Sequence, residues 1–465
     1  MSSWADPMPE PSVPPASGLE SLARRLVRLL DWAEVDYAIF FALLSKAWQV
    51  LAAPVTILLV VAYLSPELQG FYYTFYSLLA LQAFVELGLF TVIIAVASHE
   101  WADLELDAGV LIGRPEALSR LVSLGRFAFK WYALASAALM LGVGVAGYVF
   151  FSGEGSAEVA WQTPWTVFII VSALVLWTLP FVSLLEGCNQ VATINRFRVS
   201  QVILSSLALW VTLVLGGGLW AAVAAASTNL IRDLYLLFVQ YRGFFRPFFS
   251  PPSSDVVDWK SEVWPMQWRL GVSGIATYFS AYLYAPVIFH YYGPVAAGQI
   301  GMTWTLIINL GSISWAWTAT KVPRFGILIQ KKDYRSLDRL FYVTTGVTTV
   351  LMIAGAMGLW GVVMILHWIG HPLSDRLLGP LPTALLSIGA ILLHITRCQS
   401  SYLRAHKIDP LVVFSVASNG LIGLLVWVWG SRYGPMGAVL AFLVVQAIFI
   451  GPWTLIWQKY RKQWH

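Results

Sequence analysis

The sequence predicts an all-α integral membrane protein, with twelve transmembrane helices in two parallel-repeat six-helix bundles around a central cavity. Its composition is the first reason. Of the 465 residues 58% are hydrophobic and 11% are charged, and the mean hydropathy of +0.70 is far too high for the surface of a water-soluble domain. The second reason is a set of twelve apolar runs, each near the roughly 20 residues that cross a ~30 Å hydrocarbon core. The third is a turn sequence that occurs once in each half.

The twelve apolar runs supply the transmembrane helices. They lie at about residues 39–64, 71–97, 131–151, 165–185, 199–215, 219–241, 270–290, 299–317, 341–366, 377–396, 411–429 and 436–457. The connections between them alternate in charge, and of the 29 Lys and Arg residues all but Lys46, Arg232, Arg376 and Arg432 fall on one side. Since cytoplasmic loops retain positive charge, this asymmetry predicts a bacterial inner-membrane protein with both termini in the cytoplasm.

The repeated turn sequence predicts an internal duplication. Pro66 and Gly70 of YLSPELQGFYYTFYSLLAL recur as Pro294 and Gly298 of YYGPVAAGQIGMTWTLIIN. Because six crossings are an even number, the second half re-enters with the orientation of the first, as in transporters built from parallel repeats. Chance similarity between apolar helices is the alternative. The predicted units are six-helix bundles at residues 37–241 and 265–465, joined by a cytoplasmic linker at 242–264.

Residues 1–36 are predicted to form a cytoplasmic tail. They begin with a Pro-rich polar head and contain no short apolar stretch with a cleavage site, so no signal peptide is expected. Within them, LESLARRLVRLL carries Arg24, Arg25 and Arg28 between apolar positions, which predicts an amphipathic helix lying on anionic headgroups. Docking of a partner glycosyltransferase is the other interpretation of this segment.

The sequence lacks the motifs that several classes of enzyme need. The sequence has no GxxxxGK[ST] phosphate-binding loop and no HExxH motif. The longest outer connections, at about 152–164 and 367–376, are too short to build a catalytic domain, and Cys188 and Cys398 stand in no metal-ligand pattern. We therefore expect no enzymatic activity, no cofactor, no metal site and no nucleic-acid partner.

The first copy of the turn resembles a known family. LSPELQGFYYTFYSLL is similar to the first outer hairpin of polysaccharide flippases of the multidrug/oligosaccharidyl-lipid/polysaccharide exporter superfamily, which typically reads Leu-Gly-Pro-Glu-x-x-Gly-x-Tyr. Ser65 stands where glycine is common. The resemblance extends over residues 37–460 and implies translocation of a lipid-linked saccharide, of the polyprenyl-diphosphate type, from the inner to the outer leaflet. Its implied partners are membrane lipids and the glycosyltransferases or polymerase of the same pathway.

Charged residues inside apolar segments are the candidates for coupling ions to transport, because each costs ~2.5–3.5 kcal/mol at a helix centre unless it faces protein or water. Glu86 lies near the middle of the second segment and is either a protonatable ion-coupling group or a packing residue. Asn229, Arg232 and Asp233 cluster in the sixth segment. Asp233 is a second ion-coupling candidate and Arg232 a substrate-binding one, with an interhelical clamp as the alternative for both.

Cations on the first helix of each half are candidates for binding the lipid diphosphate. Lys46 and Arg269 lie in the cytoplasmic third of these helices, where a dense anion would be drawn from the inner leaflet. The resemblance implies this role, since cations on these helices are thought to serve it in related flippases. Snorkelling to headgroups is the alternative for Arg269. Trp268 is a candidate for stacking on a sugar, against the alternative of an interfacial aromatic belt.

Three functions remain open on the sequence. A lipid-linked saccharide flippase working by alternating access is the first, a cation-coupled small-molecule exporter of the same fold is the second, and a non-transporting membrane assembly component is the third. The charge of the cavity separates the first two. An anionic lipid diphosphate needs positively charged walls, whereas a cationic drug needs carboxylates.

Overall fold

The chain folds almost entirely into long helices in the computed structural model, which describes residues 37–153, 159–253, 255–406, 408 and 410–464. The helices are α1 Tyr37–Tyr63, α2 Pro66–Leu79, α3 Ala83–Glu86, α4 Leu89–Glu100, α5 Pro115–Ala138, α6 Gly144–Phe151, α7 Gln162–Gly187, α8 Val191–Val214, α9 Trp220–Tyr235, α10 Arg242–Phe245, α11 Trp264–Ala281, α12 Tyr284–Ala319, α13 Val322–Gln330, α14 Tyr334–Trp368, α15 Pro380–Ala405 and α16 Val412–Trp464. An antiparallel hairpin, β1 Leu104–Asp107 and β2 Val110–Gly113, lies between α4 and α5. The predicted interfacial helix at residues 1–36 lies outside the described residues.

These helices give twelve membrane crossings, as the sequence predicts. Within the described ranges nine helices are long and apolar enough to cross a membrane, and the pair Pro66–Glu86 and Leu89–Asp103, bent by 46°, makes a tenth crossing. Two of the nine are long enough to cross twice, and each is broken at a glycine in a non-helical conformation. They are the span Trp259–Gln330, which comprises α11 to α13 and breaks at Gly293, and α16, which breaks at Gly434. A proline follows each glycine and begins the next helix, where its fixed φ and missing N–H are tolerated.

The structure corrects the predicted boundaries at several helix ends. α14 begins at Tyr334, and the helical stretch that leads into α11 begins at Trp259, whereas hydropathy predicts starts at about 341 and 270. Hydropathy also predicts neither α13 nor the β hairpin, so the all-α class carries one small sheet. Because each of these regions contains polar or charged residues, a search for continuous apolar runs does not find them.

The two ends of the molecule differ in how the halves are joined. We call one end the hairpin end, after the helical hairpin in which α1 turns into α2, and α12 breaks at the same end. The other is the basic end, which carries the Lys- and Arg-rich connections, including the one with the β hairpin between α4 and α5. At the hairpin end one hydrophobic core draws residues from both halves, including Phe71 and Phe289, whose ring centres lie 4.9 Å apart. Toward the basic end the cores are separate, one built from residues 89–263 and the other from residues 325–457. The halves therefore meet most closely at the hairpin end.

The two copies of the turn sequence pack directly against each other. A Cβ atom added to Gly70 in α2 would lie 1.9 Å from the carbonyl oxygen of Pro294 in α12, and one on Gly298 would lie 3.0 Å from the Gly70 nitrogen. Gln69 crosses the same contact, and its Nε2 donates to the Gly298 carbonyl at 3.0 Å. At these distances only glycine lets two helix backbones approach. The duplicated glycines are the two sides of one contact.

Replacement of Gly70 by alanine should destabilise the protein, because the nearest obstacle is the backbone of Pro294, which cannot turn aside. We expect a cost of about 1–3 kcal/mol from overpacking, measured as a lower melting temperature in detergent. Gly346→Ala is the matched control, since a Cβ atom there meets nothing within 4 Å and alanine improves helix propensity at both positions. Equal melting temperatures for the two variants would contradict the contact.

Candidate functional site

An apolar groove runs along one side of the contact between the halves. It is lined mainly by α1, α12 and α14 and has a volume of about 860 Å³. Along α1 the lining extends from Leu43 to Val61, which at ~1.5 Å per residue is about 27 Å, nearly the full ~30 Å of a hydrocarbon core. Lining side chains such as Leu58 and Val362 are exposed. The groove thus offers an apolar surface almost as long as the membrane interior is thick.

Lys46 is the one charged residue among the described residues that line the groove. It lies toward the basic end, one turn from Leu43, and its Nζ donates to Gln49 Oε1 at 3.3 Å. The ion pairs found in the described ranges involve arginines and leave Lys46 without a carboxylate partner. Its ammonium group is therefore available to an anion that enters the groove.

A second cavity, the C-terminal cavity, lies inside the half that begins with α11. Its volume is about 370 Å³, and its walls come chiefly from α11, α12, α15 and α16. Its polar lining includes Arg397, Arg404, Asn419 and Gln446. Ser312 of α12 lines both this cavity and the groove, so the two spaces are adjacent at that residue.

Glu86 lies at a break in the second crossing. α3 ends at Glu86, and the next two residues, Leu87 and Gly88, have left-handed φ angles of 50° and 68°. The Glu86 Oε1 atom accepts a hydrogen bond from Tyr132 Oη at 3.4 Å. The break packs against α11, where a Cβ atom added to Gly271 would lie 3.0 Å from Leu87 Cβ. The candidate carboxylate is thus placed beside a second contact between the halves.

Arg232 and Asp233 lie in α9 and have different partners, as their ~100° separation on a helix implies. Arg232 donates to Ser200 Oγ in α8. Asp233 accepts hydrogen bonds from Thr178 Oγ1 at 3.1 Å and from Gln201 Nε2 at 3.2 Å. Both side chains connect helices within the N-terminal half, and neither lines the groove or the C-terminal cavity.

Arg269 and Trp268 lie near the start of α11. The guanidinium carbon of Arg269 lies 5.7 Å from the Trp268 ring centre, and 45% of Trp268 is exposed. Neither residue lines the groove or the C-terminal cavity. Among the candidates that the sequence indicates, Lys46 is the one that lines either space, and the structure does not bring the others to it.

Arg397 and Arg404 of α15 are functional candidates that only the structure reveals. They stand seven residues apart and so share one face of the helix, two turns from each other. That spacing is visible in the sequence, where Arg397 reads as a structural residue at a helix end. Which helices enclose this face cannot be read from the sequence. Trp304 from α12 and Gln446 from α16 complete the wall.

Arg376 ties the halves together at the hairpin end. It lies between α14 and α15, and its Nη2 donates to the carbonyl of Leu64, just after α1, at 2.6 Å. Gln69 Nε2 in turn donates to the Arg376 carbonyl at 3.1 Å. The cation also lies favourably near the negative C-terminal end of the α1 dipole. We call the Gly70–Gly298 contact, together with Gln69 and Arg376, the hairpin-end seal.

Comparison with known proteins identifies the fold. No protein-family model matches the sequence, and no curated protein sequence matches it. Solved structures match over most of the chain. An inward-facing multidrug resistance MATE family transporter of the MOP superfamily has a TM-score of 0.62 at 11% identity and covers 90% of this chain and 99% of that one.

Two further solved structures match over most of the chain. The lipid II flippase MurJ, in an inward closed conformation, has a TM-score of 0.61 at 13% identity, over 89% of this chain and 86% of that one. A MOP superfamily transporter from Pyrococcus furiosus has a TM-score of 0.54 at 12% identity, over 91% and 94%. At such identities the similarity establishes the fold. The chain has the fold of MOP superfamily transporters, and the predicted fold class is confirmed.

Proposed function

We propose that this protein carries a saccharide linked to a polyprenyl diphosphate across a membrane by alternating access between its two halves. The apolar groove is the observation that carries the proposal. A polyprenyl chain needs an apolar path through the thickness of the bilayer, and a water-soluble solute does not. The groove's length of about 27 Å fits such a chain. The adjoining C-terminal cavity offers polar side chains to the attached sugar.

The charge of the lining favours an anionic substrate over a cationic one. Lys46 is the charged residue of the groove, and the described residues that line the groove and the C-terminal cavity include no Asp or Glu. A lipid diphosphate is a dense anion, which an ammonium group attracts strongly in surroundings of low dielectric constant. An exporter of cationic drugs needs carboxylates at these positions, so that alternative has less support. A non-transporting assembly component needs no groove.

The charge asymmetry orients the proposed transporter. Lys and Arg are concentrated at the basic end, which the positive-inside preference assigns to the cytoplasm of a bacterial inner membrane. Since the seal closes the hairpin end, we assign the described conformation to the state open toward the cytoplasm. A substrate made by glycosyltransferases in the inner leaflet would slide its lipid chain into the groove beside Lys46. Rocking of the halves would then open the hairpin end and release the substrate to the outer leaflet.

Removal of the Lys46 charge should slow translocation. We expect Lys46→Ala to lower the rate about tenfold or more, because a hydrogen bond between charged groups contributes about 1.5–3 kcal/mol. Lys46→Arg should retain part of the rate, since charge survives while geometry changes. The rates are measured with a polyprenyl-diphosphate saccharide in proteoliposomes at equal protein content. Lys459→Ala, at an exposed cation of the basic end, is the control. A wild-type rate for Lys46→Ala would remove Lys46 from the site.

A coupling role for Glu86 predicts different results for two substitutions. Glu86→Gln keeps the size of the side chain but fixes a neutral group, so it should leave the melting temperature unchanged and lower gradient-driven translocation about tenfold. Glu86→Ala also loses the Tyr132 contact and leaves a small cavity, so it should lower the melting temperature as well. Both variants are assayed under an imposed proton or sodium gradient. Normal gradient-dependent translocation by the Gln variant would make Glu86 a packing residue.

A further inference from the structure

The C-terminal cavity has the size and walls of a ligand site. Its volume of about 370 Å³ falls within the range of about 300–1,000 Å³ that ligand pockets occupy. Trp304, Phe442 and Trp453 give it aromatic walls, which suit apolar contact with a ring. Trp304 is held in place, because its Nε1 donates to the Ala281 carbonyl at 2.7 Å. The cavity is therefore suited to a rigid, partly polar ring such as a sugar unit.

Arg397 gives the cavity a positive charge. Arg397 and Arg404 both line it, and no Asp or Glu is among its described lining residues. The guanidinium carbon of Arg397 lies 4.3 Å from the ring centre of Trp315, a contact that positions the group without neutralising it. Among the described residues no carboxylate forms an ion pair with Arg397. Its charge is available to an anion from outside the chain.

An amide without a partner lies in the same cavity. Gln446 of α16 lines it and is only 6% exposed, yet its side chain has no hydrogen-bond partner among the described residues. The polar atoms of Gln446 are not among the fully buried ones without a partner, so they reach the cavity and can bond to a ligand hydroxyl. Gln399 of α15 is equally buried but donates to Thr454 Oγ1 at 3.1 Å. The Gln446 amide is thus available to a ligand in the cavity.

The cavity adjoins the groove in a way that suits one molecule with two parts. On α12, Ile308 lines the cavity, Asn309 and Ile313 line the groove, and Ser312 lines both. A molecule whose lipid chain lies in the groove can therefore extend its head group into the cavity. Lys46 lies on a different helix, α1, and lines only the groove, so its charge and that of Arg397 serve separate positions.

We propose that the C-terminal cavity binds an anionic saccharide head group, so that the transported saccharide carries a carboxylate or phosphate of its own besides the diphosphate beside Lys46. This inference rests on the proposed function, which supplies the lipid-linked saccharide. Arg397 pairs with the acidic group, Gln446 and Asn419 form hydrogen bonds with hydroxyls, and the aromatic walls pack against ring faces. A neutral saccharide would leave Arg397 without a counter-charge.

Binding of lipid-free disaccharides to the full-length protein in detergent tests the cavity by itself. Digalacturonate is the acidic probe and digalactose its neutral counterpart, each titrated by calorimetry. We expect the acidic probe to bind at least about tenfold more tightly, the effect of ~1.4 kcal/mol. Arg397→Gln should remove this preference and Arg397→Lys should keep part of it. Arg432→Gln, an exposed cation at the hairpin end, should leave it unchanged.

Three results would overturn the inference. They are equal binding of the two disaccharides by the unchanged protein, a preference that survives Arg397→Gln, and tighter binding of glycerol phosphate than of digalacturonate. The last would assign the cavity to a phospholipid head group. The comparison on the unchanged protein holds even if a variant fails to fold.

The groove is tested in a separate experiment, so that failure of the proposed function can be distinguished from failure of the cavity proposal. Sugar-free polyprenyl diphosphate should bind to the detergent-solubilised protein, more weakly to Lys46→Ala, and normally to Arg397→Gln. Loss of this pattern with the disaccharide preference intact would count against the proposed function and leave the anion site standing. Loss of the disaccharide preference alone would overturn the acidic head group and leave the lipid-linked substrate.

Discussion

The close approach of α2 and α12 governs the architecture. A Cβ atom on Gly70 would lie 1.9 Å from the Pro294 carbonyl oxygen, so the two helix backbones are in direct contact and leave no room for a side chain. That contact draws aromatic side chains of both halves into a common core and gives Gln69 and Arg376 their partners across the seam. Because the halves are joined at this end and have separate cores toward the other, a groove opens along α1 and α12.

Much of the fold can be read from hydropathy, because unpaired polar groups are costly in hydrocarbon and the helices occur where the apolar runs lie. The break at Leu87 and Gly88 is hidden in the sequence, since an apolar run looks the same whether its helix is continuous or not. The duplicated Pro-x-x-x-Gly pattern predicts that two turns correspond. It does not predict that they touch, which depends on how Gly70 and Gly298 pack between helices far apart in the chain.

The candidate site is less predictable than the fold. Lys46 and Glu86 stand out in the sequence as charges inside apolar segments, and both lie in helices of the expected crossings. Their surroundings do not follow from the sequence, since Tyr132, which donates to Glu86, belongs to the third crossing. The C-terminal cavity escapes sequence reasoning for the same reason. Its walls come from several helices, and the role of a residue such as Gln446 depends on the cavity that it lines.

Access to the groove from the hairpin end tests alternating access most directly. Met302 lines the groove below the seal, its Sδ 3.8 Å from Gln69 Nε2, so Met302→Cys reports on the seal once Cys188 and Cys398 are replaced by alanine. A membrane-impermeant maleimide is added at the hairpin end of oriented proteoliposomes. Alternating access predicts negligible labelling at rest and a clear rise when lipid-linked substrate and an ion gradient are supplied. Labelling that is equally high at rest, or that stays absent during measured transport, would contradict it.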